Sequence, residues 1–570
     1  MNIRRPLILL GVIAAAMYPA TRGAFKIDDA YVLANAASPR LSQRLFVWNV
    51  DRPSPCAGAW YDGVTVQRRF VRLLPSALIA GEVAVFGANP QAFHLVSLAL
   101  HLLNCLLVFA LVRRWLHDEW KVLMATAVFG LHPIAAEPVG HLAAQAVLVA
   151  TTAGLVAVYA LVRYRERPGP GWLGLLGLAA ATTLTSYEAA IGLPLLLVMG
   201  DVLLTRGTSL RPAARLAPRI LVLAQIPLML ILSGAIRRDV SASEMSYRPA
   251  LAEVWYVGRT DLENYLLKAV GVLNPRDNED YWLHNAAGEP VAAAAAVVLT
   301  LAVIWWGRRR RLAWLGILTF LILLAPPYLI RATVGIYNFP THRQLYLPML
   351  GVAILVAAWL AETRRRMALL VVLPVLAIYA MLAATVGRFN FEWADSRPGS
   401  EAARRALAGM PLGAPIVLVG SYGDCAYTTA FDWPGRTEWK LVPSSRSSAL
   451  PVVERIDDHT LLAVAESGFA MPVEKTTPSP PWASPSYGAT VRQTAVPVEA
   501  VSSGLQRLDG AVVEVASRRA SEIHGLRFRL DRPLEDYIFL FAAGCGAMES
   551  RAGADLPDVT AIEATSVLQD

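Results

Sequence analysis

The sequence predicts a polytopic α-helical membrane protein of about eleven spans, followed by a small extracytoplasmic α+β domain. Three observations predict it. Hydrophobic residues make up 55% of the 570 residues and charged residues 17%, against about 45–50% and 25% in soluble domains. The apolar residues gather into charge-poor runs, and a helix of ~20 such residues crosses a bilayer. The last third of the chain has no run of that kind. An ordinary cytosolic enzyme is excluded, and so is a disordered or fibrous chain.

Spans are expected near 6–20, 91–112, 121–133, 142–162, 172–185, 188–204, 219–236, 290–307, 312–330, 345–361 and 367–387. Positive charge collects in short clusters between them: Arg113-Arg114, Arg163 to Arg167, Arg206 to Arg219, Arg308 to Arg311 and Arg364 to Arg366. With Arg4 and Arg5 ahead of the first run, the positive-inside rule puts the N-terminus and every cluster in the cytoplasm. An odd number of spans then puts the C-terminus outside. The net charge of +8 therefore reads as topology, and nucleic acid is not an expected partner, because no basic stretch carries interleaved aromatics. The first run could also be a cleaved signal peptide, since a basic segment precedes its apolar core. Its removal would leave the other spans oriented as before. The expected location is a bacterial-type inner (cytoplasmic) membrane.

The loops expected outside, 21–90 and 237–289, are long and the inner ones short, so chemistry is expected on the outer face. Within the first loop, the apolar stretch 73–87 reads as a helix lying on the membrane surface. The membrane domain is expected to cover 1–388 and the soluble domain 389–570. Strands are expected at Pro415 to Gly420, Leu461 to Ala465, Val512 to Val515, Leu526 to Leu530 and Tyr537 to Phe541, with a Pro/Ser-rich linker at Thr476 to Ser486. Four cysteines occur, Cys56, Cys105, Cys425 and Cys545, none in a metal-ligand spacing. Cys105 lies in an apolar run and reads as packing. Cys425 and Cys545 could bridge if their domain faces an oxidising compartment.

Candidate site residues cluster on the side expected to be outside. Asp28-Asp29 follows the first run closely, and paired carboxylates there could act as a general base or hold a divalent cation such as Mg or Mn. The turn Leu131-His132-Pro133-Ile134-Ala135-Ala136-Glu137-Pro138 puts His132 and Glu137 near membrane depth, where ionisable groups need a partner or a function. Glu188, in the turn Ser186-Tyr187-Glu188, is in the same position. Arg343 opens the tenth run, where a guanidinium can grip phosphate oxygens in pairs. The bland readings are a solvated loop, capped turns, a buried ion pair and a snorkelling arginine. Together these residues fit an enzyme that takes an activated group from a phosphate-linked lipid. In that reading Arg343 holds the leaving phosphate and a carboxylate activates the acceptor.

The succession of motifs resembles the membrane part of the TMTC-type protein O-mannosyltransferases and their bacterial relatives, in the GT-C glycosyltransferase superfamily. The family's acidic pair is matched by Phe25-Lys26-Ile27-Asp28-Asp29 through Asn35. Its Y-R-P-L stretch is matched by Arg72-Leu73, without the proline. Its H-L-x-N-x-x-L-H-x-x-N helix is matched by His94-Leu95-Val96-Ser97 and His101-Leu102-Leu103-Asn104. Its H-P-x-x-x-E-x-V is His132-Pro133 through Glu137 and Val139, and its S-K-E-x-A is Ser186-Tyr187-Glu188-Ala189-Ala190. Its E-R-Y-L-Y-L-P is His342-Arg343-Gln344-Leu345-Tyr346-Leu347-Pro348. The similarity runs over about 1–395 in order.

By resemblance the fold is GT-C-like and the enzyme inverting, with a polyprenyl-phosphate-linked sugar as donor and a protein, glycan or lipid as acceptor. Asp28 or Asp29 is implied as the catalytic base. Arg72, His132, Glu137, Glu188, His342, Arg343 and Tyr346 are implied to bind substrate. The sequence departs from the pattern at Tyr187, where the family has lysine, and at His342, where it has glutamate. The TPR repeats of the family are absent. A transporter or lipid flippase is the competing reading, which favours broken midplane helices and an internal repeat; neither is visible in the sequence.

Overall fold

The computed structural model describes residues 3–23, 47–50, 68–87, 89–205, 212–227, 265–271, 289–334, 342–395, 415–419, 439–442, 450–467, 469–473, 492–495, 505–508, 511–519, 522–542 and 548–558, with Asp29, Val32, Leu33, Ala36 and Leu262. The helices in chain order are α1 (Arg4–Met17), α2 (Leu73–Phe86), α3 (Pro90–Val112), α4 (Glu119–Gly130), α5 (Ala136–Val139), α6 (Gln145–Glu166), α7 (Pro170–Leu184) and α8 (Leu193–Thr205). They continue as α9 (Pro212–Leu223), α10 (Glu289–Gly307), α11 (Arg311–Val334), α12 (His342–Tyr346), α13 (Met349–Glu362) and α14 (Arg365–Asp395).

The sequence sets these boundaries locally. Asn89 caps α3 by accepting from the Ala92 amide at 3.3 Å, and Pro90 takes the first helical position, where a missing donor costs nothing. Pro170 and Pro212 open α7 and α9 in the same way. α4 stops before His132-Pro133, because proline pushes the preceding residue out of the helical region and lacks the N–H that would continue the ladder. The chain makes a 3-10 turn at Pro133–Ala135 and resumes as α5, bent by 50° from α4.

Each of the eleven expected runs contains a helix, and among the described residues fewer than eleven of these helices are long and apolar enough to cross a membrane by themselves. Among the described residues, Pro90–Val112, Leu142–Glu166, Arg311–Tyr328 and Arg365–Arg388 are long and apolar enough to cross, and Glu119–Gly130 with Pro133–Val139 makes a fifth if the bent pair is one span. Helices such as α1, α7 and α13 have 14 or 15 residues, which at 1.5 Å per residue gives roughly 21–23 Å, short of the ~30 Å hydrocarbon core.

The bundle core joins Ile13 and Met17 of α1 to Cys105 and Phe109 of α3, Phe129 of α4, Leu350 and Ile354 of α13 and Leu376 of α14. Two glycines make room for the segment that leaves α1. A methyl on Gly140 would stand 2.6 Å from the Ala20 carbonyl oxygen, and one on Gly387 would stand 2.7 Å from the Ala20 nitrogen. The 3-10 turn Tyr18–Arg22 thus wedges between α14 and the end of α5, which delivers the chain beyond it to the break after α4.

After Asp395 the regular elements among the described residues are strands and short 3-10 turns. A five-stranded antiparallel sheet has the order Val452–Arg455, Thr460–Val464, Glu522–Leu530, Ala511–Arg519, Leu505–Leu508. A four-stranded sheet runs Met548–Ala552, Ile538–Ala542, Ile416–Val419, Trp439–Val442, its last two pairings parallel. Every stretch read as a strand from sequence overlaps one of these strands. Val419, Leu461, Phe469, Ile523, Phe528 and Phe539 share one apolar core. Cys56, Cys425 and Cys545 and the linker Thr476 to Ser486 lie outside the described residues, and Cys105 is a buried free thiol.

Candidate functional site

Antiparallel alternation gives the bundle two chemically different ends. α4 runs from Glu119 to Gly130 and α6 returns from Gln145 to Glu166, so the segment 131–144 lies at one end and the arginine clusters at the other. Contacts between turns distant in sequence fix the basic end: Arg114 with Glu166 at 2.9 Å, Arg5 with Glu119 at 2.9 Å, and Arg310 with Glu362 at 2.7 Å.

The opposite end gathers ionisable groups from three separate segments. Asp29 comes from the chain after α1, Glu137 and His141 from the break, and Arg343 from the one-turn helix α12. Asp29 is fully buried. Its Oδ1 accepts from the Ala143 amide at 2.7 Å and lies 3.3 Å from His141 Nε2. His141 Nδ1 faces Glu137 Oε1 at 3.9 Å and Arg343 Nη1 at 3.4 Å. Glu137 Oε2 accepts from the Arg343 backbone N–H at 2.8 Å, while its Oε1 stands 3.7 Å from Arg343 Nε. The result is an Asp–His–Glu–Arg series. Its carboxylates are buried, and the Arg343 side chain, 27% exposed, is its open end.

α12 is held from below by a polar network inside the bundle. His101 Nε2 is 3.0 Å from the Gly130 carbonyl, which can only accept, so that nitrogen carries the proton. His101 Nδ1 therefore accepts from the Tyr346 hydroxyl at 2.7 Å. The Tyr346 oxygen in turn accepts from Asn104 Nδ2 at 3.3 Å, and Thr152 donates to Asn104 Oδ1 at 2.7 Å. Tyr346 thus points into the bundle, 1% exposed, away from Arg343 three residues earlier. Tyr265 ties the same helix from another side by donating to Gln344 Oε1.

The remaining candidates from sequence divide. His132 is fully buried, accepts from the Ile134 amide at 3.4 Å, and meets the Tyr379 ring edge-on at 4.7 Å between centroids. His342 is fully buried at the start of α12. Arg72 stands apart from this series among the described contacts. It precedes α2 with its guanidinium 5.6 Å from the Tyr187 ring centroid, and the Leu73 amide donates to the Thr185 carbonyl at 2.9 Å. Tyr187, where the family pattern has lysine, is thus a platform for that arginine. Asp28 lies outside the described residues; Glu188 begins a 3-10 turn, and its side chain lies outside them.

Sequence reasoning passed over two residues that the fold brings in. His141 joins Asp29 to Glu137 and Arg343. Its signal was its place four residues after Glu137, which makes an i, i+4 pair wherever the chain is helical. Gln145 lies two residues beyond the Asp29-binding amide and donates to Glu82 Oε1 at 2.9 Å, beside Ser97 at 3.4 Å. Glu82, on α2, is 4% exposed; burial pushes its carboxyl up to about 7, with the Gln145 hydrogen bond pulling the other way. Among the described residues no group of three or more His, Cys, Asp or Glu side chains is placed to hold a metal ion.

Fold and site together define a polytopic helical protein with a charged, polyvalent site at one end of its bundle. No family model matches the chain. Over 129 residues it is 38% identical to Protein O-mannosyl-transferase Tmtc2 of Drosophila melanogaster, covering 22% of this chain and 14% of that protein. Over 117 residues it is 34% identical to Protein O-mannosyl-transferase Tmtc1 of the same organism, covering 20% and 14%. The chain thus matches 14% of the length of these curated relatives, and over that stretch the resemblance to the TMTC-type proteins read from its motifs is borne out. Two solved structures of ArnT from Cupriavidus metallidurans are similar at 14% identity, over 75% of this chain and 84% of theirs. The one bound to undecaprenyl phosphate has a TM-score of 0.43 and the apo form 0.41.

Proposed function

We propose that this protein is a membrane-embedded glycosyltransferase of the GT-C superfamily that moves a sugar from a polyprenyl-phosphate donor to an acceptor hydroxyl. The observation that carries the reading is the convergence of Asp29, His141, Glu137 and Arg343 from three distant segments at the end of the bundle away from the arginine clusters. The partial identity to TMTC-type O-mannosyltransferases supports the reaction class. The positive-inside rule makes the site end extracytoplasmic.

In this reading the acceptor O–H is deprotonated as its oxygen bonds to the anomeric carbon, and the proton passes to Asp29, with Asp28 beside it in sequence. The anomeric carbon–oxygen bond to phosphate breaks in the same displacement, inverting configuration. Arg343 meets the charge that develops on the leaving polyprenyl phosphate, by bidentate contact. Glu137 fixes Arg343 through its backbone N–H and its side chain, and His141 sets the separation between base and cation. Glu188 and Arg72 are assigned to substrate contacts outside this centre, Arg72 beside Tyr187, and the fully buried His132 and His342 to holding the break and α12 in place.

Asp29→Asn keeps the acceptor of the Ala143 hydrogen bond and removes the base. With a radiolabelled polyprenyl-phosphate sugar and membranes containing the natural acceptors, transfer is expected to fall by about 10²–10⁴-fold while donor binding persists. Undiminished transfer by both Asp28→Asn and Asp29→Asn would refute the assignment.

A further inference from the structure

Glu82 is a buried carboxyl that the proposed reaction does not use. It belongs to the inner stripe of α2, where Pro75, Ser76, Ile79 and Glu82 are buried while Leu74, Val85 and Phe86 face outward. The two ends of α2 are held differently. At its start the Leu73 amide donates to the Thr185 carbonyl at 2.9 Å. Toward its end Glu82 Oε1 accepts from Gln145 Nε2 at 2.9 Å, and Ser97 Oγ stands 3.4 Å from the same nitrogen. Between them Ile79 shares an apolar cluster with Phe93 of α3, with Leu142 and Ala143, and with Val32 and Ala36 of the chain that carries Asp29. α2 is therefore part of the seat of that chain.

The other oxygens of the same pair, Glu82 Oε2 and Gln145 Oε1, are both buried with no hydrogen-bond partner among the described residues. Two acceptors cannot satisfy each other, and an unpaired buried polar atom is costly. One proton on Glu82 relieves both: Oε2 becomes an O–H donor, and Gln145 Oε1 is the acceptor on the amide already bonded to Oε1. The groups packed around Glu82 supply no charge that favours its ionised form. α6 presents Gln145 here and has its arginines at the far end. α3 presents Ser97, with His94 and His101 a turn to either side, and the strand Val47–Val50 has no ionisable residue. Arg72 lies at the other end of α2, against the Tyr187 ring, and Asp29 faces His141 at 3.3 Å. Burial raises the Glu82 carboxyl to about 7, and only the Gln145 bond opposes it.

We propose that Glu82 is a positioning residue that acts in its protonated form, its Oε2–H donating to Gln145 Oε1 in an acid–amide pair that keeps α2 docked. Ile79 then holds the chain bearing Asp29 against Leu142 and Ala143. On ionisation the proton leaves to water, and the docked state is left with a buried charge that has no cation. α2 is released more often, and the Asp29 chain loses one wall of its seat. The docked carboxyl titrates near 7 and the released one near its ordinary 4.5. Docking is therefore fullest below the lower value, weakens as pH rises between the two, and is level above. The catalytic consequence rests on the role of Asp29 proposed above.

Hydrogen exchange read by mass spectrometry, on the full chain in detergent without donor or acceptor, measures docking directly. With rates corrected for the pH dependence of exchange itself, protection of residues 73–86 is expected to fall about tenfold per pH unit between about pH 5 and pH 7, and to level off above. The Ala143 amide, bonded to Asp29, is expected to lose protection in step. Glu82→Gln offers the same two hydrogen bonds with no proton to lose, and is expected to stay protected across that range. Glu82→Ala is expected to show low protection at every pH. If Glu82→Ala folds poorly, the wild-type pH series and Glu82→Gln decide. Wild-type protection that ignores pH, or that rises with pH as titration of the buried His94 would make it, would overturn the proposal. So would a Glu82→Gln variant that keeps the wild-type slope. Loss of protection in α2 with Ala143 unchanged would overturn the link to Asp29. No sugar enters the measurement, so its outcome is independent of the transfer reaction, which the Asp28 and Asp29 variants test.

Discussion

Arg343 has two jobs that a substitution can separate. Its backbone N–H is anchored on Glu137 at 2.8 Å, and that bond survives any side-chain change. Its guanidinium, between Glu137 and His141, is the most exposed member of the series. Replacing it with Ala therefore removes the phosphate grip without freeing the helix. Arg343→Ala is expected to raise the donor KM and cut kcat/KM by about 10–100-fold, and Arg343→Lys to recover part of the loss, because a point charge replaces a bidentate fork. Equal losses from both, measured at several donor concentrations, would count against a phosphate role. At this scale the sequence announced Asp29, Glu137 and Arg343 by the cost of charge beside apolar runs. It was silent about how they combine. Tyr346 sits in the same motif as Arg343, yet one helical turn carries it round to His101 and Asn104 in the interior. His141, which no costly position singled out, proved to be the junction, because pairings between segments more than a hundred residues apart leave no local pattern.

Elements were legible where periodicity or a stop signal dictates them. Pro90, Pro133 and Pro170 mark breaks that the structure keeps. What hydrophobicity cannot convey is how closely two helices approach, since that depends on where the smallest residues meet. Gly316 of α11 and Gly351 of α13 show this. A methyl on Gly351 would stand 2.5 Å from the Phe320 nitrogen and 2.6 Å from the Gly316 carbonyl oxygen. The two backbones touch there, as in small-residue contacts of membrane helices. α13 follows directly on the Arg343-bearing α12, so parting α11 from α13 displaces the site as well. Gly351→Ala is expected to destabilise the bundle by about 1–3 kcal/mol, the usual cost of overpacking. It should lower the unfolding temperature in detergent and weaken donor binding together. A variant with unchanged unfolding temperature would show that the helices separate at no cost.

At the scale of the whole molecule, chemistry and architecture are divided along the chain. The ionisable groups of the candidate site all come from residues 29–343, within the helical part. The strands after Asp395 bury an apolar core of their own, from Val417 to Leu556. The sequence contains no nucleophile–base pair or phosphate loop in that region. We therefore expect residues 389–570 to control acceptor access from outside the membrane and to take no part in bond-making. The cut that tests this belongs after Asp395, because α14 runs on to that residue and packs its inner face on α1 and α4. Chain 1–395, purified in detergent and checked for an unchanged helical signal and a cooperative melt, is expected to bind a polyprenyl-phosphate sugar within about threefold of the full chain, on the order of the ~0.5 kcal/mol by which separated sites fail to add. It should also hydrolyse the donor slowly, with water in place of the acceptor, while transfer to the natural acceptor falls below detection. Loss of donor binding in a well-folded truncation would place part of the donor site in the strands and remove the division. Full transfer to the natural acceptor would remove it from the other side, leaving the C-terminal part without a role in acceptor choice.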